Sequence, residues 1–254
     1  MLLLIGFAIS LGQYSPDILA NAADSTSNQN LDAQRAFTEI EFGIKAGFSL
    51  SQHSGVEERG AEYDVSSDWR EGAGAGAFLY LPITRRFGLQ QELLYVQKGS
   101  RQDITVDILD IPTVLHVTYD MDYIEIPVLF KFAWLKWRNS SIYSLAGWAL
   151  SFKVNDRYTL VGEVDDGTET APLSADSDMS EVEIFDYSFV YGFGAEFLLF
   201  RIPLLVEYRF SIGMNRLYMP TYAYVPFEDE EVLIENDPVP LKNQNHLLMI
   251  GVTF

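Results

Sequence analysis

The chain has 254 residues, no cysteine, a formal charge of −19 and a heavy aromatic load that includes 14 Tyr and 17 Phe. Without thiols there is no disulfide framework, no thiolate metal site and no cysteine-linked lipid anchor. The acidic balance argues against a nucleic-acid partner, whose phosphates need Lys and Arg, and the length suits one large β domain or two small ones.

The chain begins MLLLIGFAISLGQYSPDILANAAD. Residues 2–11 form an apolar run of the length of a signal-peptide core, and Ala20-Asn21-Ala22 supplies a small-x-small cleavage pattern, although a basic leader region is missing. Ten apolar residues are too few to span a bilayer. We therefore expect a signal peptide over 1–22, cleaved after Ala22. Residues 23–38 (ADSTSNQNLDAQRAFT) are polar and aperiodic, which predicts a flexible lead-in.

From residue 39 onward the chain shows almost no helical periodicity, and eight segments alternate with period two. They are EIEFGIKAGFSL (39–50), GAGAGAFLYL (72–81), RFGLQQELLYVQKG (86–99), the region 119–133, SIYSLAGWALSFK (141–153), DYSFVYGFGAEFLLF (186–200), LLVEYRFSIG (204–213) and NQNHLLMIGVTF (243–254). The fourth contains YIEIPVLFKF, in which Ile124, Ile126, Val128, Phe130 and Phe132 alternate with Tyr123, Glu125, Pro127, Leu129 and Lys131. Period two places these sets on opposite faces of a strand.

Connections alternate in length. Those at 82–85, at 134–140 and around Phe200–Pro203 are tight, whereas 51–71, 100–118, 154–183 and 214–242 read as long loops. One end of the molecule thus carries short turns and both termini, and the other carries all the long connections. An up-and-down outer-membrane barrel has this asymmetry, with short periplasmic turns and long extracellular loops. The four long connections hold 24 Asp and Glu against six Lys and Arg, so nearly all the net charge lies there.

The strands themselves are close to neutral. Glu41, Glu92, Glu125, Glu196 and Glu207 are nearly balanced by Lys45, Lys98, Lys131 and Arg209, all on the more polar face. Opposite charges shut in a narrow barrel should pair, because an unpaired buried charge costs several kcal/mol. We therefore expect an ion-pair network inside and the Ile124–Phe132 row facing lipid. In hydrocarbon only a closed barrel satisfies every strand amide, and eight strands make a small barrel that side chains nearly fill. Gly72, Gly74, Gly76, Gly192 and Gly194 are expected to make room for longer inward neighbours. Tyr80, Tyr95, Trp134, Trp137, Trp148 and Tyr208 are expected in interfacial girdles, and Pro127 at a local bulge.

The stretches GIKAGFSLS (43–51), LQQELLYVQKGS (89–100), YIEIPVLFK (123–131), YGFGAEF (191–197), VEYRFSIGMN (206–215) and LLMIGVTF (247–254) resemble the PorT-like outer-membrane β-barrel group, the porin-family barrel domains of gliding and gut bacteria. The resemblance spans 39–254 and implies the same fold. It also implies that Phe254 serves the outer-membrane insertion machinery. The founding member's role in a secretion system carries over less directly than the fold, since the long acidic loops depart from the group.

Features that would carry catalysis are sparse. His53, His116 and His246 fall in or beside three different long connections, with no Ser or carboxylate at a recognisable spacing from His246. GAGAGA has no following helix to cradle a phosphate, and Lys98-Gly99-Ser100 lacks the upstream glycine of a phosphate loop. Glu92, Glu125, Glu207, Lys131 and Arg209 read as a structural network rather than an acid–base site. The acidic loops, with Asp165, Asp166, Asp176 and Asp178 as weak metal candidates, do not match an ordered calcium loop, and a solvated crown is the simpler reading.

The sequence thus predicts an all-β, eight-stranded antiparallel transmembrane barrel over 39–254, in the outer membrane of a Gram-negative bacterium with its termini periplasmic. No enzyme activity, cofactor or confident metal site is expected. The expected partners are outer-membrane lipid or lipopolysaccharide, the barrel-assembly machinery and an unidentified protein. A narrow channel or an accessory subunit of a secretion or uptake system is the alternative.

Overall fold

The computed structural model describes residues 40–54, 64–108, 111–137, 140–165, 170–177, 184–215, 217–218, 222–227, 230–235 and 240–254. The expected signal peptide and lead-in lie outside them. Eight long strands form a ring: β1 (Glu41–Ser54), β2 (Arg70–Pro82), β3 (Phe87–Ile108), β4 (Ile111–Trp137), β5 (Ser140–Asp165), β6 (Phe185–Leu199), β7 (Ile202–Gly213) and β8 (Pro240–Thr253). Each pairs antiparallel with the next, and β8 returns to β1 from Gly43↔Thr253 to Ser54↔Lys242. Closure leaves no free edge along this seam. Phe254 ends the chain there, donating its N–H to the Phe42 carbonyl at 2.7 Å, with the two rings 6.2 Å apart.

All eight alternating segments are barrel strands, but two of the expected loops are not loops. β3 and β4 remain paired as far as Ile108↔Ile111, so 100–118 is a long hairpin arm. β5 runs on to Asp165, and Thr170–Ser177 folds back along it from Asp165↔Thr170 to Tyr158↔Ser177. Asp64–Asp68 pairs with β3, Leu217–Tyr218 with β8, and Tyr222–Phe227 forms a hairpin with Glu230–Glu235. Among the described residues the acidic connections are therefore largely sheet.

A change in patterning explains why these arms escape a search for loops or for membrane strands. In the lower part of β4, Ile124, Ile126, Val128 and Phe130 point outward while Glu125, Leu129 and Lys131 are buried. Above Tyr123 the strand keeps its phase but reverses its chemistry. Leu115, Val117, Tyr119 and Met121 are buried inward, and His116, Thr118, Asp120 and Asp122 point outward. β5 has Val154 as an extra residue where Tyr123↔Lys153 gives way to Asp122↔Asn155; beyond it Tyr158 and Leu160 are buried. A bulge of this kind re-aims every later side chain.

Pro127 makes no bulge. Pairing of β3 with β4 stops after Gln91↔Val128 and resumes at Leu94↔Glu125 in the same register. The missing N–H is absorbed as a short gap in one ladder, while Pro127↔Ala149 keeps the other intact. Trp134 is the unmatched residue of a second irregularity, between Ala133 and Leu135.

The short-turn end is built economically. Ile83 and Thr84 donate their N–H groups to the Phe87 carbonyl at 2.9 and 2.8 Å, and the Thr84 hydroxyl accepts the Phe87 N–H at 3.1 Å. Phe200 and Arg201 join Leu199 to Ile202 with φ of 52° and 71°. Two positive φ values fit the twist of a two-residue hairpin, although each costs a side-chain-bearing residue about 1 kcal/mol.

Candidate functional site

Alternation turns one face of every barrel strand inward, and this lumen is the candidate site. It is not uniformly polar. Leu94, Val96, Leu247 and Met249 form one buried apolar cluster, and Leu129, Tyr143, Leu145, Ala149 and Val190 form another. Ionic groups sit between and around these clusters.

The central ionic group joins β1, β3 and β7. Lys45 Nζ lies 2.8 Å from Glu92 and 2.9 Å from Glu207, with all three side chains fully buried. Arg209 grips both oxygens of Glu92, donating from Nη1 to Oε2 at 2.7 Å and from Nη2 to Oε1, and its Nε pairs with Glu207. Such two-pronged contacts are strong and fix the geometry. Tyr143 donates its hydroxyl to Glu207 at 3.1 Å, and Gln90 donates to Glu92 at 2.5 Å. Two cations face two anions, so the cluster is neutral.

Nearer the short turns, Lys131 pairs with Glu196, whose second oxygen accepts the Ser141 hydroxyl at 2.7 Å. The ammonium also lies 4.6 Å from the Tyr80 ring centre and 4.1 Å from that of Tyr143, close enough for cation–π attraction. Tyr80 therefore points into the lumen and is not part of an outer girdle, in contrast to the exposed Tyr95, Trp134, Trp137 and Trp148. Glu41 stands opposite Tyr80 across the β1–β2 ladder. Gly194 lets the Tyr143 ring approach the backbone of β6, since a Cβ there would lie 2.6 Å from the Tyr143 hydroxyl.

Toward the long hairpins a third group forms. Lys98 Nζ lies 2.5 Å from Glu125, which also accepts the Ser151 hydroxyl at 3.2 Å. Lys98 sits 5.0 Å from the Tyr123 ring centre. Asn243 donates its amide to Asp186 at 3.0 Å. Lys45, Glu92, Lys98, Glu125, Lys131, Glu196, Glu207 and Arg209, all expected in the lumen, thus lie in close ion pairs. The residues that sequence reasoning missed are Asp186, Tyr80, Tyr143, Gln90 and the His53–Ser100 pair. Asp186 was legible in principle, since it shares even parity with Glu196 along β6.

The histidines occupy three unrelated settings. His116 pairs with Asp103 at 2.6 Å on the outward face of the β3–β4 arm. His246 faces outward, 2.5 Å from the Tyr208 hydroxyl, with the Phe210 and Trp69 ring centres 4.6 and 4.9 Å away. His53 is buried beside Ser100, whose hydroxyl lies 2.6 Å from Nδ1, with the Tyr119 ring edge-on at 5.8 Å. This Ser–His contact cannot act on a substrate as it stands, because Ser100 is fully buried.

His53 sits above the outward apolar band, flanked on β1 by Gln52 and Ser54. Burial pushes its pKa down from 6.5 to about 4, with an Asn243 hydrogen bond partly opposing the shift. The unfolded chain binds this proton first. Stability from a neutral His53 is therefore complete above pH 6.5 and is lost as pH falls from about 6.5 to about 4, by about 3 kcal/mol in all. Urea unfolding in lipid vesicles should show this loss in the wild type and a flatter profile over that interval in His53→Gln.

Of the metal candidates, Asp165 and Asp176 do not come together. Asp165 lies opposite Thr170, whereas Asp176 lies opposite Thr159, six ladder positions away, or about 20 Å. Asp166 and Asp178 lie outside the described residues. Among the described residues no group of three or more His, Asp or Glu is placed to hold a metal ion.

A family model described as "Outer membrane protein beta-barrel domain" matches residues 24–218; the closing strand β8 lies beyond the match. No curated protein matches the chain in sequence. Among solved structures, OprG from Pseudomonas aeruginosa is similar at 11% identity, covering 85% of this chain and 97% of that chain with a TM-score of 0.43. Ail of Yersinia pestis is similar at 13% identity, covering 85% and 99%, with a TM-score of 0.36. Neisserial surface protein A is similar at 10% identity, covering 84% and 97%, with a TM-score of 0.38. At these identities the likeness concerns the fold alone.

Proposed function

Since the chain belongs to the outer membrane protein beta-barrel domain family, we propose that it is a non-enzymatic barrel whose lumen is plugged by side chains and whose long hairpins present an interaction surface outside the cell. The observation that carries this reading is the central cluster, where Lys45 of β1, Glu92 of β3 and Glu207 and Arg209 of β7 join across the lumen with every partner buried. Ions or small solutes would have to break these contacts to pass. The reversal of patterning in β4 between Asp122 and Ile124 marks where the outward face leaves hydrocarbon. On this reading the arms beyond it stand in the external medium, and the short turns and both termini are periplasmic.

Lipid or lipopolysaccharide would contact the outward face. Phe254, at the β1–β8 seam, would be read by the barrel-assembly machinery, as the PorT-like resemblance implies. That resemblance also favours a second reading, an accessory subunit or narrow channel of a secretion or uptake system. Planar-bilayer recordings with refolded protein separate the two. A plugged barrel gives no sustained single-channel steps, whereas reproducible open channels would overturn the plugged reading. Recovery of a protein partner from crosslinked outer membranes would identify what the hairpins bind.

A further inference from the structure

The two ends of the barrel carry opposite chemistry. The three short turns, at 83–86, 134–140 and 200–203, contain five Lys and Arg and no Asp or Glu, against the acidic surplus of the long connections. Arg85, Arg86, Lys136 and Arg201 are exposed, and Arg138 lies outside the described residues. Among the described residues the acidic groups at this end are Glu41, the Phe254 carboxylate and Glu196, the last committed to Lys131. The first two turns are neighbours on the rim, since the Ala133 N–H donates to the Arg86 carbonyl at 2.7 Å.

The cations alternate with large apolar side chains. Ile83 precedes Arg85 and Arg86, Leu135 and Trp137 flank Lys136, and Phe200 and Ile202 flank Arg201; all five apolar residues are more than half exposed, Phe200 at 89%. The Phe200–Arg201 turn adds an independent sign. Both residues have positive φ, a conformation that Gly or Asn would adopt with less strain. Keeping Phe and Arg there holds an apolar and a cationic side chain at the tip against the backbone preference.

An acidic polymer in solution would answer the cations and leave these apolar groups in water. A membrane interface answers both. Aromatic and aliphatic side chains sink to the acyl boundary, while Lys and Arg reach back to the phosphates. Zwitterionic headgroups offer no net charge, whereas anionic ones attract each Lys or Arg held near the surface.

We infer that the short-turn rim is a docking surface for anionic phospholipid headgroups, which gather around the barrel in the leaflet beside the turns. This deepens the proposed function and rests on its transmembrane reading. The rim holds one end of the barrel to such lipids, and the acidic hairpins repel them at the other.

The test is electron spin resonance of trace spin-labelled phosphatidylglycerol or phosphatidylcholine in phosphatidylcholine vesicles that contain the refolded protein. Both labels should show a motionally restricted population at the barrel. At low salt the phosphatidylglycerol label should be enriched there by about twofold, averaged over the whole lipid shell. Arg86→Gln, Lys136→Gln and Arg201→Gln combined should remove the enrichment, while Lys242→Gln, at the opposite end of β8, should keep it. Should the triple variant fail to fold, the wild type in about 1 M salt, where the Debye length falls to about 3 Å, should lose the enrichment instead. Absence of restricted phosphatidylcholine would overturn the transmembrane reading and this inference with it. Restricted phosphatidylcholine without phosphatidylglycerol enrichment, or enrichment that survives the triple variant or high salt, would overturn this inference alone. No enrichment in the wild type, with cosedimentation on purified cell-wall glycopeptide lost in the triple variant, would overturn it in favour of an acidic polymer.

Discussion

Arg209→Ala should destabilise the barrel by about 3–5 kcal/mol, the usual penalty for removing one partner of a buried ion cluster. The guanidinium holds both oxygens of Glu92 and also reaches Glu207. Without it, Lys45 alone faces two buried carboxylates. The loss should appear as a lower urea midpoint and as a smaller fraction migrating in the heat-modifiable folded form on gels. Arg209→Met combined with Glu207→Leu should cost much less than Arg209→Ala, because the Lys45–Glu92 pair is left neutral and apolar groups fill the space. Residues of one network are not additive, and a double variant worse than the single would contradict the neutral-cluster account. Tyr143 loses its acceptor in the double variant, so some cost should remain.

Ile250→Arg tests the opposite face. Ile250 lies on β8 between Ala46 of β1 and Val206 of β7 and is 57% exposed. In a water-soluble protein, replacing such an exposed side chain seldom shifts stability by more than about 0.5 kcal/mol. In a lipid-facing position near mid-bilayer, Arg costs about 2–4 kcal/mol. Reversible urea unfolding in phosphocholine vesicles should therefore show a penalty of about 2 kcal/mol or more for Ile250→Arg. At Lys242, on the outward face of the same strand beyond the apolar band, Lys242→Ala should change stability little. A negligible penalty at Ile250 would place that face in water.

The strands were legible because bilayer and lumen impose opposite demands on neighbouring residues. YIEIPVLFKF shows this in ten positions, and β4 presents the expected faces. The partners of the central cluster were legible as types but not as pairs. Lys45, Glu92 and Glu207 lie far apart in sequence, and closure and shear decide who meets whom. The arms were hidden for a physical reason. Val117, Tyr119 and Met121 do alternate with His116, Thr118 and Asp120, but their apolar side faces inward as in a soluble sheet. A reading tuned to lipid-facing strands stops where the solvent changes. Pro127 was expected to need an extra residue, yet the ladder simply skips it in constant register. Asp186 was missed because it opens its segment, where an acidic residue looks like the end of a loop.

Because the chain has no cysteine, single-cysteine spin labels scanned along 124–131 of β4 in lipid vesicles test the orientation most directly. Labels at Ile124, Ile126, Val128 and Phe130 should collide readily with lipid-dissolved oxygen, while those at Glu125, Leu129 and Lys131 should be shielded and tightly restrained. Oxygen accessibility of the opposite phase, or none that alternates, would contradict a barrel with its oily face in the bilayer and its ion pairs within.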